Sequence, residues 1–397
     1  MTLNTLRLKK GEDRRIRAGH PWIYSNEINT QITPLKNFTP GEEVLVEAHD
    51  KTILGVAYIN PHSLIAARLF SRHPKHRLNI DFFIDKLKTA LALRNYLFTR
   101  PCYRWVFSEG DGLPGLILDR FNHHLVAQCN TAGIDAKKQL LAEALLQVAP
   151  ETTSILLRND IAIREQEGLP STIVPLYGSP PEEVLLEENT VSFYAPIWKG
   201  QKTGWFYDHR ANRLRLKDYV KQKQVLDVFS YLGAWGIQAA CFGATHVDFV
   251  ESSPLAMEYL MKNAKENNID HKVTAIACDA FETLKTLHQE KRKYDIIILD
   301  PPAFIKKSKD RQQGLIAYQR LNELALKLLV PQGILISCSC SMHLSFADLT
   351  HLLQRAAFNT HSSLQILERG HQAPDHPIPL AIPEADYLKA LIARMSD

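Results

Sequence analysis

From about residue 186 onward, short apolar runs alternate with longer amphipathic stretches. QVLDVF (224–229), HVDFVE (246–251), KVTAIA (272–277), YDIIIL (294–299) and GILISC (333–338) are almost continuously apolar. Between them, WGIQAACFG (235–243), PLAMEYLMKNAKENN (254–268), AFETLKTLHQE (280–290) and GLIAYQRLNELALKLLV (314–330) carry apolar residues at helical spacing. Strands apolar on both faces, separated by helices, predict a mostly parallel Rossmann-like α/β sheet covered on both sides. SLQILERG (363–370) and DYLKALIAR (386–394) finish it as a terminal pair.

The earlier chain is patterned differently. EEVLVEAHDKTILGVAYINP (42–61) holds two β-rich runs around Asp50-Lys51, a hairpin signal, and IAARLFSR (65–72) is a third run. After the charged linker SRHPKHR (71–77), helical spacing over 80–98 and 135–149 mixes with strand-and-turn patterns over 109–121 and 155–168. Three domains are expected: a small β domain at 1–73, a mixed α/β domain at 74–185 and the Rossmann-like domain at 186–397. A length of 397 residues agrees with more than one core.

Composition changes this picture little. No apolar run is long enough to span a bilayer. The polar, basic start and six cysteines without framework spacing predict reduced thiols in a cytoplasmic protein. Net charge is +4, but residues 1–77 hold twelve Lys and Arg against seven Asp and Glu. This excess favours a polyanion partner for the N-terminal domain, or else is a solvated basic surface. Lys9, Arg14, Arg15 and Arg17 lie beside His20-Pro21-Trp22, an RNA-binding candidate set.

In doubly wound sheets, ligands bind at the carboxyl ends of the strands. Asp227 ends the first strand, and Gly233 and Gly236 let the backbone approach a ligand and open the next helix. A dinucleotide fingerprint needs three glycines, whereas Phe229 and Tyr231 stand where the first falls, which disfavours a diphosphate. Glu251 ends the second strand, where a carboxylate can hold both ribose hydroxyls. Asp279, after the third, is placed for adenine. The trio fits S-adenosyl-L-methionine, a nucleoside without phosphate. Strand-end acids also cap helices, and Asp279 precedes one. Three in succession, with a glycine turn, exceed what capping needs.

Asp300-Pro301-Pro302 follows the fourth strand as a stiff loop, since each proline fixes φ. Amino-group methyltransferases use an acid or amide, two prolines and an aromatic. Here Ala303 follows the prolines and Phe304 comes one place later. Cys340, after the fifth strand, supplies what amine methylation does not need. A thiolate added to carbon 6 of a pyrimidine makes carbon 5 nucleophilic, while Asp300 hydrogen-bonds the base edge and offsets charge. Cys338 is the rival thiol, deeper in the strand, where a thiol behaves as a small hydrophobe. Cys340 lies at the mouth, where a thiolate can be supported. Cys338, Cys340 and His343 have ligand-like spacing but no evident fourth ligand, so no metal is assigned.

Nearly the whole chain resembles the bacterial ribosomal RNA large-subunit methyltransferase I family, which makes 5-methylcytosine in 23S rRNA. LKKGEDRRIRAGHPWIYSNEI is similar to its N-terminal PUA domain, a small RNA-binding β-barrel. EGDGLPGLILDRF and RNDIAIREQEGL resemble its central domain, and GQKTGWFYDHRANR (200–213) the segment leading into its class I methyltransferase domain. The resemblance implies cofactor contacts from Tyr207, Asp208 and Arg210. It supports Phe229, Tyr231, Gly233, Glu251, Asp279 and Asp300, and places the nucleophile at Cys340, where Cys338 takes a position usually held by a bulky apolar residue. Met342-His343 departs from the family's Gly and apolar pair, which leaves the target cytosine open.

Two other readings stand beside it: methylation of an exocyclic amine, which needs no Cys340, and a non-catalytic RNA-binding assembly factor, which needs neither Asp300 nor Cys340. The sequence admits a homodimer without requiring one, and points to no membrane partner.

Overall fold

The computed structural model describes residues 3–396. They form two compact units. The first holds the residues up to Val184 with Pro196–Tyr207 and Pro374–Ala385; the second holds Leu185–Ala195, Asp208–Ala373 and the chain from Asp386 onward.

The first unit carries two five-stranded sheets. One has the spatial order Asn4–Arg7, Glu42–Glu47, Ile53–Ile59, Ile65–Ser71, Trp22–Tyr24. Its Glu42–Glu47 and Ile53–Ile59 strands pair antiparallel across the hairpin read from the sequence, with Lys51 left-handed at φ 70°. The other runs Thr172–Gly178, Ser154–Asn159, His124–Cys129, Leu116–Phe121, Cys102–Phe107, accompanied by helices Ile80–Leu97 and Lys138–Val148. The two sheets share apolar packing: Val56, Tyr58 and Phe70 join the same buried cluster as Phe83, Trp105 and Leu141.

Glu167 adds a polar bolt between these sheets. Its carboxylate accepts from Arg68 (2.9 Å), Asn60 (2.9 Å) and Ser63 (3.1 Å), all on the N-terminal segment. Glu167 and Arg68 are both buried, so the pair stands where an unpaired charge is costly.

The second unit is a seven-stranded sheet. Its strands are β1 (Gln224–Val228), β2 (His246–Glu251), β3 (Val273–Ala277), β4 (Tyr294–Leu299), β5 (Leu329–Ser339), β6 (Leu364–Gly370) and β7 (Lys389–Met395), in spatial order β3-β2-β1-β4-β5-β7-β6. The first five are parallel; β7 is antiparallel to β5 and to β6. Order reverses at β1, so a topological switch lies between β1 and β4. The helices are α1 (Ala234–Cys241), α2 (Pro254–Glu266), α3 (Ala280–Gln289), α4 (Arg311–Leu328) and α5 (Phe346–Asn359). Strand and helix positions match the sequence pattern to within a few residues, apart from β5, which begins four residues early, and α5, which the pattern of apolar runs does not mark. Its start is nonetheless signalled by a Ser345/Asp348 capping box.

Replacing Glu167 with Ala strands a buried guanidinium. Urea unfolding of Glu167→Ala is expected to show a loss on the order of 3–5 kcal/mol, with Glu167→Gln losing less; an unchanged midpoint would show that the bolt carries no stability.

Candidate active site

Strand register sets out the site. Val228, Leu299 and Ser337 are aligned across β1, β4 and β5. The next position along each chain is Phe229, Asp300 and Cys338. Two parallel-strand ends and their loops therefore converge on Asp300.

Asp300 is held from two directions. Oδ1 lies 3.2 Å from His209 Nε2, and the Trp235 indole N–H donates to Oδ2 at 2.9 Å. The His209 and Trp235 rings are 5.3 Å apart. Burial pushes the Asp300 carboxyl pKa up, but His209 and the Trp235 bond more than offset it, so it sits below the ordinary carboxylate range. Asp208, beside His209, accepts from the Tyr387 hydroxyl at 2.6 Å through Oδ2. The Arg210 side chain is buried and its carbonyl accepts from Asn189 at 2.9 Å. Tyr207 belongs to the first unit: its hydroxyl donates to the Arg120 carbonyl at 2.9 Å and its ring packs on Phe121. With the side chain fully buried and so engaged, Tyr207 serves there as packing, contrary to its expected cofactor contact.

The cofactor turn is pinned by Glu251. Phe229 and Tyr231 both have positive φ, 64° and 50°, strained for side chains of this kind. Glu251 Oε2 accepts from Tyr231 N at 2.9 Å and Oε1 from Ser253 N at 2.8 Å, while Phe229 N and Ser230 N donate to Val250 O. The two glycines divide their work. Gly233, at φ 83°, precedes α1 in the left-handed region. Gly236 lies inside α1, where a Cβ would stand 2.2 Å from the Phe249 ring. It serves helix-to-strand packing rather than backbone approach to a ligand.

Asp227 is fully buried. Oδ2 accepts from Gly236 N at 2.8 Å, and Oδ1 finds no hydrogen-bond partner among the described residues. Burial raises its pKa to about 7, helped by Asp300 and Glu251 and opposed by the Gly236 bond and Arg213. Asp279 is exposed and caps α3, Oδ1 accepting from Phe281 N (2.9 Å) and Glu282 N (3.1 Å). The capping alternative raised by the sequence is thus realised for this acid. An unpartnered buried acceptor beside a carboxylate-pinned turn fits the amino-acid and nucleoside parts of S-adenosyl-L-methionine.

The two cysteines are separated by environment. Cys338 is buried, its thiol pKa raised well above the ordinary value by burial and then by Asp300 and Cys340. Its sulfur lies within 4.8 Å of ligand atoms of His209 and Asp300. Within this cluster the Trp235 indole donates to Asp300 Oδ2 and the His209 imidazole stands beside Oδ1. Cys340 is half-exposed, just past the strand. Ser339 and Ser341 beside it are buried and tied to Tyr318: Ser339 Oγ donates to the Tyr318 hydroxyl at 2.8 Å, and that hydroxyl lies 2.9 Å from Ser341 Oγ. Ser341 Oγ also accepts from Ile305 N at 3.2 Å, fastening this turn to the loop after Asp300-Pro301-Pro302. Phe304 packs among Phe229, Phe281 and Tyr318.

His209, Trp235, Tyr318, Tyr387 and Lys389 do not stand out in the sequence. A lysine opening the mostly apolar strand β7 is the one visible signal, since lysine is rarely buried without a purpose.

In the first unit, the expected RNA set splits. Arg15 pairs with Glu27 (2.7 Å) and its guanidinium lies over the Tyr24 ring. His20 is buried, its pKa lowered by burial and then by Arg15, and Trp22 donates to Glu109 at 2.7 Å. These three hold the fold together, so His20 is not a surface for a base or a phosphate. Lys9, Arg14 and Arg17 are exposed, although Lys9 donates to the Asn26 carbonyl at 2.7 Å and Arg17 pairs with Asp13 at 2.5 Å.

Residues 6–72 match the PUA-like domain model, and residues 212–345 match the model described as conserved hypothetical protein 95. The ribosomal RNA large subunit methyltransferase I of Aliivibrio fischeri is 37% identical over 393 residues, 98% of either chain. That of Vibrio cholerae is 35% identical, with 98% of either chain covered. The chain belongs to the ribosomal RNA large subunit methyltransferase I family. Among solved structures, a chain from Streptococcus mutans provisionally assigned as a SAM-dependent methyltransferase superposes with a TM-score of 0.83 at 21% identity, over 99% of this chain and 100% of that one. The Methanocaldococcus jannaschii tRNA m1G37 methyltransferase superposes with a TM-score of 0.52 at 16% identity, over 79% of each. The fold is that of methyltransferases, with a PUA-like N-terminal segment, and family and fold make the chain an S-adenosyl-L-methionine-dependent methyltransferase. No helix among the described residues is long and apolar enough to cross a membrane.

Because Asp227 has a folded pKa near 7 against an ordinary 3.8, its stabilising contribution is fully present below about pH 4 and is lost as pH rises through 7. Without cofactor, unfolding free energy is expected to fall by up to about 4 kcal/mol across that window. Asp227→Asn should remove this slope in urea titrations at pH 5 and pH 8; equal slopes in the two proteins would contradict a neutral Asp227.

Proposed function

We propose that the chain methylates carbon 5 of a cytosine in 23S rRNA, with Cys340 attached transiently to carbon 6 of the ring. The supporting observation is the placement of Cys340 beyond the fifth strand, half-exposed and braced on both sides, in the same carboxyl-edge cluster as the ionised Asp300. The relatives' name, which specifies large-subunit ribosomal RNA, supplies the substrate class.

Glu251, Asp227, Asp208 and the Phe229–Gly233 turn would hold the cofactor, with Asp279, whose Oδ1 caps α3, offering its other oxygen to the adenine base. S-adenosyl-L-methionine, once bound, supplies the electrophilic methyl that carbon 5 attacks. The Cys340 thiolate forms the S–C6 bond, and the electron pair of the C5–C6 double bond shifts toward C5. Asp300 takes the hydrogen bonds of the base edge and, held by His209 and Trp235, needs no rearrangement as charge develops. After methyl transfer a base removes the C5 proton, the electron pair of that C–H bond reforms the C5–C6 double bond and the S–C6 bond breaks, which restores the thiolate. The packing of Phe304 among three aromatic rings weighs against the amine reading, which needs that ring turned to a base.

Cys340→Ala should lower single-turnover methylation about ten-thousand-fold or more while calorimetric cofactor binding stays intact, and Cys338→Ala should keep most activity. RNA carrying 5-fluorocytosine at the target should trap a covalent complex, because elimination needs the C5 proton. Full activity of Cys340→Ala removes the covalent mechanism, and mapping of methylated bases in rRNA from a strain lacking the protein tests the substrate.

The exposed cations Lys9, Arg14 and Arg17 are proposed to grip phosphate, offsetting the unstacking of the target base. Replacing all three with Gln should flatten the slope of log affinity against log salt by roughly 0.7–0.9 for each phosphate no longer neutralised. An unchanged slope for rRNA fragments would assign these residues to solvent alone.

A further inference from the structure

Lys389 is an unusual residue in its place. It opens β7, paired across the ladder with Ser339 of β5, and is only 3% exposed. Its Nζ donates to the Ser341 carbonyl at 2.7 Å and to the Tyr387 carbonyl at 2.7 Å. An ammonium has three protons, so these bonds leave one for an anion. No carboxylate forms an ion pair with it among the described residues, although a buried ammonium ordinarily needs one. The residue whose neighbour it grips is Cys340.

We propose that Lys389 is the charge partner of Cys340: its ammonium fixes the Ser339–Ser341 turn through the Ser341 carbonyl and stabilises the thiolate at its centre. The proposal rests on the nucleophilic role given to Cys340 above and adds to it the group that makes the thiol competent near neutral pH. In the resting step Cys340 gives its proton to solvent, the S–H bond breaks, and the sulfur keeps the electron pair beside the ammonium. Lys389 transfers nothing and is a positioning residue.

The surrounding charges agree. Burial lowers the Lys389 pKa to about 8, while Asp386, Cys340 and Asp348 raise it, so at pH 7 it is mostly cationic. Asp348 is occupied by Arg311 at 2.7 Å and by the Ser345 cap. Tyr318, whose hydroxyl is bonded to Ser339 and Ser341, and buried Cys338, which also feels Asp300, couple to Cys340 as well. Lys389 is the cation that couples to Cys340 here. Its support is fully present well below pH 8 and is lost as pH rises through that value.

The test reads the thiol directly. Full-length protein is alkylated with iodoacetamide from pH 6 to 10, and the rate at Cys340 is followed by peptide mass spectrometry. Exposed Cys278 serves as internal reference. Wild-type Cys340 should reach half its maximal rate at a lower pH than Cys278. Lys389→Met should slow Cys340 about tenfold at pH 7 and move its profile upward, leaving Cys278 unchanged, and Lys389→Arg should restore most of the shift. A Cys340 profile that coincides with Cys278 in the wild type, or does not move in Lys389→Met, overturns the proposal. The wild-type comparison decides even if Lys389→Met does not fold. The outcomes separate from those above: an inactive Cys340→Ala with an unmoved alkylation profile sinks the Lys389 role alone, whereas a shifted profile with an active Cys340→Ala leaves the ion pair standing and removes the covalent mechanism.

Discussion

The alignment of three parallel strands is the constraint on which the site depends. Val228, Leu299 and Ser337 share one row, so Phe229, Asp300 and Cys338 emerge together at the carboxyl edge. Side chains alternate along a strand, and a one-residue slip would turn each of them to the opposite face. Apolar runs such as Ile296–Leu299 and Leu335–Ile336, buried throughout, make such a slip expensive. The core therefore specifies the chemistry: the same packing that stabilises β1, β4 and β5 brings an acid, a strained turn and a thiol together.

Within that edge, partners rather than burial alone decide protonation. Asp227 and Asp300 each end a neighbouring strand and both are penalised by burial, yet their carboxyls move in opposite directions. Asp227 has one backbone N–H and two nearby carboxylates, so it keeps its proton to about pH 7. Asp300 has an imidazole and an indole N–H, so it loses its proton early. Environment separating two like groups is the usual route by which one site holds both an acid and a base form at one pH.

Much of this is legible in the sequence because it depends on period and strand ends. The parallel strands, Asp300 on its proline loop and Glu251 after β2 follow from alternation of apolar runs and from where each run stops. What is not legible depends on distance in space. Nothing in the pattern ties His209 or Trp235 to Asp300, because they come from a pre-sheet segment and the first turn of α1. Glu251 reads as a ribose ligand, yet its carboxylate also holds Tyr231 N and Ser253 N, a task invisible without the turn. Residues 14–22 are another such case: a basic cluster beside Trp22 reads as a nucleic-acid surface, yet Arg15 also pairs with Glu27, His20 is buried and Trp22 also donates to Glu109. Charge counts cannot tell a surface cation from one spent on a neighbour.

The pair Cys338 and Cys340 shows how two identical side chains two residues apart acquire different chemistry. Both would share a face if the strand continued, but β5 ends at Ser339. Cys338 stays in the ladder opposite Ala390, beside an ionised carboxylate that disfavours a second anion. Cys340 leaves the ladder, held by hydroxyls on either side and by a lysine from β7 through the Ser341 carbonyl. The strand's end thus separates a thiol buried in the ladder from one at the half-exposed mouth. Extending β5 by one pair would bury Cys340 as it buries Cys338, and desolvation would then disfavour a thiolate there, without any change in residue identity.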